Sequence, residues 1–397
     1  MNYHIITQDT FFDAYIEDFY KLHQEDDNVF LVRGECGESP RFTSKRKVEF
    51  LGNDRAAYIN RLSRLKSNDK LFVSWYDLWL GEIIIESKIE TPLYVLVMGG
   101  DFYADPFWFH AHWLFDKQTY VFVKKNYDFP TINWLRRPHN WYKIFNDIRA
   151  RVAFKKQQCV LYERKLNTMK RINYIVLPKQ AVREFEHINE LYPGCDFKMA
   201  YGAYDQNYDK AIQYNYTLGL RRKPLKVLIG NSADTTNNYL DAFVSIRRYL
   251  NYEYEIYSSL SYGDEINKKN VITNGNSIFG DRFHPIIDFM TRDEYIAFLS
   301  TIDVVVMYHN RQQACGNIMT SLVLGKPVFL KPQNPVYSML KSIGISSIYD
   351  VNELRKVDVD KIIVTAYNDR LRNAQIIAEI YSEETRLNYW RQLIEMN

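Results

Sequence analysis

The stretch KVLIGNSADTTNNYLDAF, residues 226–243, contains a strand, a turn and the start of a helix in eighteen residues. Its apolar run, 227–229, stops at Gly230, a polar cluster occupies 231–236, and a helical pattern follows. In a parallel sheet, ligands bind outside the carboxyl ends of the strands, where the following helix offers N–H donors to an anion. The stretch lacks both GxGxxG and the P-loop lysine. A phosphate-binding corner and an ordinary turn capped by Ser or Thr therefore both fit it.

The same alternation of short apolar strands with helical patterns extends along most of the chain. It indicates parallel sheets with helices on both faces. Residues 205–225 interrupt it, because they are polar, rich in Tyr and end in Arg-Arg-Lys-Pro. The predicted strands are YHIIT (3–7), VFLVRG (29–34), LFVSWY (71–76), LYVLVMGG (93–100), NYIVLP (173–178), FKMAYG (197–202), KVLIG (226–230), YEIYSSL (254–260), DVVVMYH (303–309) and PVFL (327–330).

These features predict an α/β protein with two consecutive Rossmann-like domains. A chain of 397 residues fits two domains at roughly 100–200 residues each. We expect an N-terminal domain over 1–210, a linker over 211–225 and a C-terminal domain over 226–375. A last helix, 376–397, is expected to pack back toward the N-terminal domain.

Composition restricts the function classes. The net charge is only +3, from 51 basic and 48 acidic residues, which argues against nucleic acid as a partner. The four Cys form no CxxC pair, so free thiols are expected rather than zinc or disulfides. No apolar run approaches the ~20 residues of a membrane span, and residues 1–15 lack a signal-peptide pattern. A cytoplasmic protein is the expectation.

A second strand end, in YHNRQQACGNIMTSLVLGKPVFL (308–330), carries the chemistry more clearly. Its strand ends in a polar loop that leads to Gly316 and Asn317 at the start of a helix. Arg311 can bind a diphosphate in a bidentate manner. Gln312 and Gln313 can bind sugar hydroxyls. Because both strand ends belong to one predicted sheet, together they favour a diphosphate-bearing ligand.

Three segments resemble the TDP-N-acetylfucosamine:lipid II N-acetylfucosaminyltransferases, the 4-α-L-fucosyltransferase family. They are VLIGNSADTTNN, RQQACGNIMTSLVLGKPVFLKPQNPVYSML and MGGDFY (98–103). The resemblance is dense from about 226 to 345, and thinner at 93–103 and 388–394. The family tends to have Gly at positions 233 and 314, Thr at 317 and Trp-Gly-Ala at 98–100, where this chain has Ala, Ala, Asn and Met-Gly-Gly. These differences bear on the sugar more than on the reaction.

The resemblance implies a GT-B fold, with two Rossmann-like, doubly wound domains that face a central cleft. It implies transfer of a 4-acetamido-4,6-dideoxy-galactose-like sugar from a TDP-like donor to a polyprenyl-diphosphate-linked saccharide in bacterial surface polysaccharide biosynthesis. Neither a cofactor nor a metal is expected, so fixed donors must stabilise the leaving diphosphate. The expected donor-binding residues are Gly230, Asn231, Ser232, Tyr262, Gly263, Arg311, Gln312, Gln313, Gly316, Asn317, Asn334 and Tyr337.

A sugar hydroxyl that attacks the donor needs a proton acceptor. Asp101 is the main candidate, because it follows a strand and two glycines. The alternative role for Asp101 is that of a turn residue that caps a helix. His110 and His112 are the next candidates, and they lack a third ligand at metal-site spacing. Asp77 is read as a loop residue, and the Asp-Val-Asp at 358–360 as the start of a helix rather than a metal site.

The segment 136–171 contains eleven Lys or Arg, two acidic residues and several aromatic residues. A basic aromatic helix can lie on an anionic membrane. The segment therefore predicts peripheral membrane contact, on the inner face of the cell membrane, or contact with the acceptor diphosphate. A solvated helix face is the alternative.

Other classes remain open from the residues. Another GT-B nucleotide-sugar enzyme, such as an epimerase, or a non-catalytic nucleotide-sugar or glycan-binding protein would share the donor site. A nicotinamide oxidoreductase is disfavoured, because GxGxxG follows neither first strand.

Overall fold

The computed structural model describes residues 1–8, 12–22, 27–34, 47–103, 113–126, 144–204, 208–214, 224–247, 253–354 and 356–396. The chain divides into two compact units. The first unit is Met1–Asp105, Cys159–Gln206 and Ala378–Asn397, and the second is Pro106–Gln158 and Asn207–Ile377.

Strands and helices alternate in the described residues as the sequence predicts. The strands are β1 (Asn2–Thr7), β2 (Asn28–Arg33), β3 (Glu49–Phe50), β4 (Lys70–Ser74), β5 (Leu93–Leu96), β6 (Tyr174–Leu177), β7 (Lys198–Tyr201), β8 (Leu225–Ile229), β9 (Tyr254–Ser259), β10 (Phe283–Ile286), β11 (Val304–Met307), β12 (Val328–Leu330) and β13 (Ile348–Asp350). The helices are α1 (Asp13–Leu22), α2 (Arg55–Leu62), α3 (Leu78–Glu86), α4 (Gly100–Tyr103), α5 (Lys117–Asn126), α6 (Ile144–Met169), α7 (Val182–Leu191), α8 (Asp209–Gln213), α9 (Tyr239–Arg247), α10 (Glu265–Phe279), α11 (Arg292–Thr301), α12 (Cys315–Val323), α13 (Pro335–Ser342), α14 (Val359–Tyr381) and α15 (Glu383–Glu395).

The described strands of the first unit form one parallel sheet in the order β3-β2-β1-β4-β5-β6-β7. Apolar strands such as β4 are buried along their whole length, as expected for a sheet covered on both faces. Aromatic rings fill the core: the buried His4 ring stacks between Phe30 and Phe72, with centroids at 4.3 and 5.1 Å. Burial lowers the pKa of His4 to about 3, so this histidine is a neutral core residue.

The last helix, α15, packs against α1 within the first unit. Arg386 forms a buried ion pair with Asp18, with Nε and Oδ2 2.8 Å apart. The Lys70 ammonium donates to the carbonyl oxygens of Leu393 and Ile394, at 2.7 and 2.6 Å. Removing one partner of a buried ion pair leaves an uncompensated buried charge, which is strongly destabilising. These contacts therefore fix α15 to the first unit.

The described strands of the second unit form a parallel sheet in the order β10-β9-β8-β11-β12-β13. This is the doubly wound order, in which the chain changes direction between β8 and β11. Its core contains buried residues of β8, α9 and β11, such as Ile229, Phe243 and Val306. Two parallel α/β sheets confirm the predicted fold class.

The second unit also includes a segment that lies far away in the sequence. The backbone N–H of Asp116 donates to Oδ1 of Asn238 at 2.8 Å, and that of Gln118 donates to Asp241 at the same distance. A boundary at residue 210 assigns this segment to the first domain instead. These contacts join residues that are 122 or 123 positions apart, and such contacts leave no periodic pattern in a sequence. Among the described helices, none is long and apolar enough to cross a membrane.

Candidate functional site

The two strand ends singled out in the sequence lie side by side. Strands β8 and β11 are parallel neighbours, with Ile229 opposite Val306. The N–H of Gly230 donates to the Val306 carbonyl at 3.0 Å and closes the ladder at its carboxyl end. The loops after both strands therefore start from one edge, at the topological switch point where ligands of such sheets bind.

Gly230 is required by local packing. Its φ is +69°, a conformation that favours glycine. A Cβ at this position would collide with the hydroxyl of Tyr239, and that hydroxyl donates to the Ser259 carbonyl at 2.9 Å. Any other residue would strain the backbone and displace the side chain of Tyr239, the first residue of α9. The glycine thus fixes the start of the loop.

The loop after Gly230 is a 3₁₀ turn, Thr235–Asn237, capped by the Asp234 side chain. Several of its N–H groups already have protein acceptors. Asn231 donates to Oδ1 of Asn237 at 3.1 Å, and Ala233 donates to the Tyr262 carbonyl at 2.7 Å. The expectation of unpaired donors here is wrong for these two groups, because the Asn237 side chain and the Tyr262 carbonyl already accept from them. A donor-binding role for Gly230, Asn231 and Ser232 stays a prediction.

The start of α12 is different. Its N-cap is Ala314, with φ 58°, and alanine has no side chain that can cap a helix. Within the described part of the chain, the N–H groups of Gly316 and Asn317 have no hydrogen-bond acceptor. Both residues are partly exposed. Free N–H groups and the helix dipole make this start suitable for an anion.

Arg311 lies between the two loops. Its side chain is only 12% exposed, and one Nη lies 4.0 Å from Oδ2 of Asp234. The other Nη donates to the carbonyl of Gln312 at 2.9 Å. These contacts hold the guanidinium at the edge where α12 begins, and a diphosphate there would meet a positive charge whose position is already fixed.

Gln313 connects the loops. Its Nε2 donates to Oδ1 of Asn231 at 2.9 Å, and its Oε1 accepts from Thr236 at 2.7 Å. The side chain is buried, so both bonds form away from water. Gln312 is placed differently: its Nε2 contacts the Cys315 sulfur at 3.1 Å, and its buried Oε1 has no partner among the described residues.

Asn334 is fully buried. Its amide donates to the carbonyls of Arg311 and His309, at 2.8 and 3.1 Å, and its Oδ1 caps α13. These bonds shape the loop that holds Arg311, which makes Asn334 a positioning residue. Tyr337, in the first turn of α13, is partly exposed. The pKa of the buried His309 is lowered to about 3, by burial first and by the charge of Arg311, so His309 is neutral.

Tyr262 and Gly263 adjoin the first loop, as predicted from their position after β9. The Asn231 side-chain amide donates to the Tyr262 hydroxyl at 3.3 Å, and Tyr262 is 56% exposed. Gly263 has φ +113°, and a Cβ there would lie 2.9 Å from backbone atoms of Ala233 and Asp234. The structure thus brings three strand-end loops of the second unit together.

Sequence reasoning missed a group of polar residues on this edge. Lys331 is buried, with its ammonium 2.5 Å from Oδ2 of Asp116 and 2.9 Å from Oδ1 of Asn310. It also lies over the Tyr308 ring at 4.2 Å. Lys331 directly follows β12, and its position at a strand end could have indicated a site residue in the sequence. Its pairing with Asp116 could not be predicted, because the two residues lie far apart in the sequence.

Asp101 lies in the first unit, five residues after the end of β5 and in the first turn of α4. It is 3% exposed, and its carboxylate accepts from the N–H of Met98 at 3.1 Å. Burial raises the pKa of Asp101 to about 6, against the lowering effects of the Met98 N–H and of the Lys165 charge. The Lys165 ammonium donates to the Asp101 carbonyl at 3.0 Å. His110 and His112 lie outside the described residues.

The other carboxylates considered in the sequence have structural partners. Asp77 caps α3 and forms an ion pair with Arg33 at 2.5 Å. Asp358 accepts from the N–H groups of Asp360 and Lys361 and so caps α14. Across the described ranges, no cluster of three or more His, Cys, Asp or Glu could hold a metal ion.

Solved structures with low sequence identity share this architecture. A glycosyltransferase from Rickettsia africae ESF-5 superposes with a TM-score of 0.59 at 8% identity, covering 99% of this chain and 98% of that one. A UDP-forming α,α-trehalose-phosphate synthase from Burkholderia vietnamiensis gives 0.54 at 11%, covering 99% and 98%. A structure described as trehalose-6-phosphate from E. coli bound with UDP-2-fluoro glucose gives 0.53 at 8%, covering 100% and 99%. The fold is GT-B, as predicted.

The fold and a family match together define the class of protein as a nucleotide-sugar glycosyltransferase. Residues 199–392 match the family described as 4-alpha-L-fucosyltransferase, glycosyl transferase group 56. The matched segment covers just under half of the chain. The resemblance identified from the strand-end motifs is thereby confirmed.

Proposed function

We propose that the protein transfers a 4-acetamido-4,6-dideoxy-galactose-like sugar from a TDP-like nucleotide to a polyprenyl-diphosphate-linked saccharide in bacterial surface polysaccharide biosynthesis. The family match of residues 199–392 supports the reaction class. The sugar, the nucleotide and the lipid-linked acceptor follow from the resemblance of the motifs at 226–345.

The observation that carries the proposal is the start of α12. The N–H groups of Gly316 and Asn317 have no acceptor in the described part of the chain, and Arg311, on the loop that leads into α12, is held by Asp234 and the Gln312 carbonyl. When the sugar leaves the nucleotide, negative charge develops on the diphosphate. Donors fixed in advance stabilise that charge without reorganising, which is the main requirement of a transferase that uses no metal.

Asp101 is our candidate for the base that accepts the proton of the acceptor hydroxyl. Its pKa of about 6 leaves the carboxylate ionised at neutral pH but still basic enough to accept a proton in the transition state. Its place at the carboxyl end of β5 is where a Rossmann-like sheet presents catalytic groups. In the structure the Asp101 carboxylate accepts a hydrogen bond from the Met98 N–H. The proposal requires the hydroxyl of the acceptor saccharide to reach that carboxylate.

We further propose that α6 docks the protein on the inner, cytoplasmic face of the cell membrane. Arg149, Lys155 and Lys156 are exposed on it, and so is Val152, at 62%. Such a mixed surface fits an anionic bilayer. The end of the predicted basic segment does not contribute to this exposed surface, because Lys165 is buried within the first unit. Residues 136–143 of the segment lie outside the described residues.

A thermal-shift panel of nucleoside diphosphates tests the donor site, because a ligand that binds the folded state raises the Tm. We expect thymidine diphosphate to raise the Tm of the wild type and to fail to do so for Arg311→Ala. Arg282→Ala is the matched control, since Arg282 is exposed near the amino end of β10. A wild type that no nucleoside diphosphate or nucleotide sugar stabilises would contradict the proposal.

A further inference from the structure

The first sheet has a topological switch point of its own. Its order, β3-β2-β1-β4-β5-β6-β7, places the change of direction between β1 and β4. Sheets of this type bind ligands outside the carboxyl ends of the strands at that point. The residue directly after β4 is Trp75.

Trp75 has an unusual backbone conformation. Its φ is 53°, in the left-handed region that bulky residues avoid, and a residue held there costs about 1–3 kcal/mol. The residues on both sides impose it. Ser74 is buried and its hydroxyl donates to the Ile5 carbonyl at 3.2 Å, and the buried Tyr76 donates to the Thr168 carbonyl at 2.8 Å. Trp75 is therefore turned outward between two anchored neighbours.

Trp75 is 41% exposed, although burial of so large an apolar residue would be favourable. Part of the ring packs on Gly100, where a Cβ would lie 2.8 Å from Cζ3 of the indole. A side chain at position 100 would therefore displace the ring. Gly100 is the residue before Asp101, so the exposed indole lies next to our candidate base along the strand ends.

Polar groups lie on the same edge. Asp77, two residues after Trp75, pairs with Arg33 at the end of β2. The Asp77 side chain is about half exposed, and the Arg33 guanidinium lies 4.5 Å from the centroid of the Trp79 ring. The edge thus combines the exposed Trp75 with the accessible Asp77 carboxylate and the Arg33 guanidinium, which the ion pair keeps in place.

We propose that Trp75 is the stacking surface of a saccharide-binding site, in which the Arg33–Asp77 pair binds sugar hydroxyls. One side of a pyranose ring is rich in C–H groups and matches an indole, while its hydroxyls need donors and acceptors at the rim. That the saccharide is the acceptor rests on the proposed function. The strain at Trp75 is then the cost of presenting the ring to the ligand.

The test combines saccharide binding with stability. Methyl glycosides of glucose, N-acetylglucosamine and galactose are titrated against the full chain by saturation-transfer NMR. We expect millimolar binding of at least one of them to the wild type, a loss of at least tenfold in Trp75→Gly, and a smaller loss in Trp75→Phe. Trp75→Gly should keep or raise the Tm, because glycine relieves the strain at positive φ.

Lys88→Gly is the matched control. Lys88 is exposed, has φ 51° and lies just beyond the end of α3. Its replacement should affect the Tm in the same direction and leave saccharide binding unchanged. Gly100→Ala is a second variant, which should displace the Trp75 indole while leaving Trp75 itself unchanged. We expect this variant to bind the saccharide more weakly as well.

The inference would be overturned if Trp75→Gly and Gly100→Ala bound the saccharide as well as the wild type does. It would also be overturned if the wild type bound none of the glycosides. The thymidine diphosphate shift, measured on the same variants, separates the two proposals. A retained nucleotide shift with lost saccharide binding supports the Trp75 site. Absence of the nucleotide shift in the wild type counts against the proposed function alone.

Discussion

The side-chain amide of Gln313 joins the loops after β8 and β11: Nε2 donates to Oδ1 of Asn231 at 2.9 Å, and Oε1 accepts from Thr236 at 2.7 Å. This bridge sets the distance between the turn that Gly230 begins and the start of α12. Because both bonds are buried, loss of either partner leaves a polar group unsatisfied, at a cost of about 1–3 kcal/mol.

Gln313→Glu tests the bridge with almost no change of shape. A carboxylate can still accept from Thr236 but cannot donate to Asn231, and it adds negative charge beside the proposed diphosphate site. We expect the free energy of unfolding to fall by about 1–3 kcal/mol and thymidine diphosphate to bind more weakly. Urea unfolding and a nucleotide titration measure the two effects. The same change at the exposed Gln157 is the control, and equal effects at both positions would contradict the bridge's role.

Arg311→Ala should lower kcat as well as raise KM for the donor, since the guanidinium would stabilise charge that grows as the diphosphate leaves. The expected loss in kcat/KM is on the order of 2–4 kcal/mol of transition-state stabilisation. Arg311→Lys should recover only part of it, because an ammonium cannot bind a diphosphate in a bidentate manner. Steady-state kinetics with the donor varied would give this result. Unchanged constants for Arg311→Ala would remove the residue from the site.

Asp101 should make both stability and activity depend on pH. Its pKa in the folded state, about 6, is above that of an ordinary aspartate, so the folded state holds the proton more tightly than the unfolded state. This contribution is complete below about pH 4 and disappears as pH rises to about 6, a change of about 3 kcal/mol. Chemical unfolding at several pH values, compared with Asp101→Asn, measures it.

The same substitution tests the base. Asp101→Asn should lower kcat by a factor of about 10²–10⁴, and the wild-type rate should fall below pH 6 as the carboxylate is protonated. A variant that keeps its activity while its stability loses the pH dependence would leave Asp101 as a turn residue only.

The exposed face of α6 predicts salt-dependent membrane binding. The double variant Lys155→Glu/Lys156→Glu should float less with anionic liposomes than the wild type, and wild-type flotation should weaken as salt screens the charges. Lys269→Glu/Lys356→Glu makes the same charge change at exposed positions elsewhere. Flotation that neither salt nor the α6 substitutions reduce would argue against this surface.

Chelation should have no effect on turnover. Asp358, the first residue of the Asp-Val-Asp sequence, uses its carboxylate to cap α14, and the proposed site stabilises the leaving group with N–H donors and Arg311. We expect the same kcat in EDTA and in magnesium. A rate lost in EDTA and restored by magnesium would show that a metal takes part.

The fold was predictable from the sequence because it depends on periodicity. Apolar runs such as that at 227–229 mark buried parallel strands, and the structure has a strand there. Interactions between side chains were not predictable. The pairing of Lys331 with Asp116, and the closure of the first loop by Asn237, depend on distances that no local pattern encodes.

The candidate site shows the same division. Arg311 and Gly316 were identifiable because a strand end, an Arg and a helix start follow each other in the sequence. Gln313 and Asn334 were selected as ligand-binding residues; the structure shows protein partners for their side chains, and their ligand-binding role stays a prediction. Trp75 gave no signal in the sequence, because a positive φ at a tryptophan is a property of the folded backbone.

A crystal structure of the protein with thymidine diphosphate tests the central claim most directly. We predict that the diphosphate accepts hydrogen bonds from the N–H groups of Gly316 and Asn317 and from the Arg311 guanidinium, at 2.7–3.2 Å as for ordinary hydrogen bonds. A nucleotide bound elsewhere on the second unit, with those two N–H groups still free of it, would contradict the account.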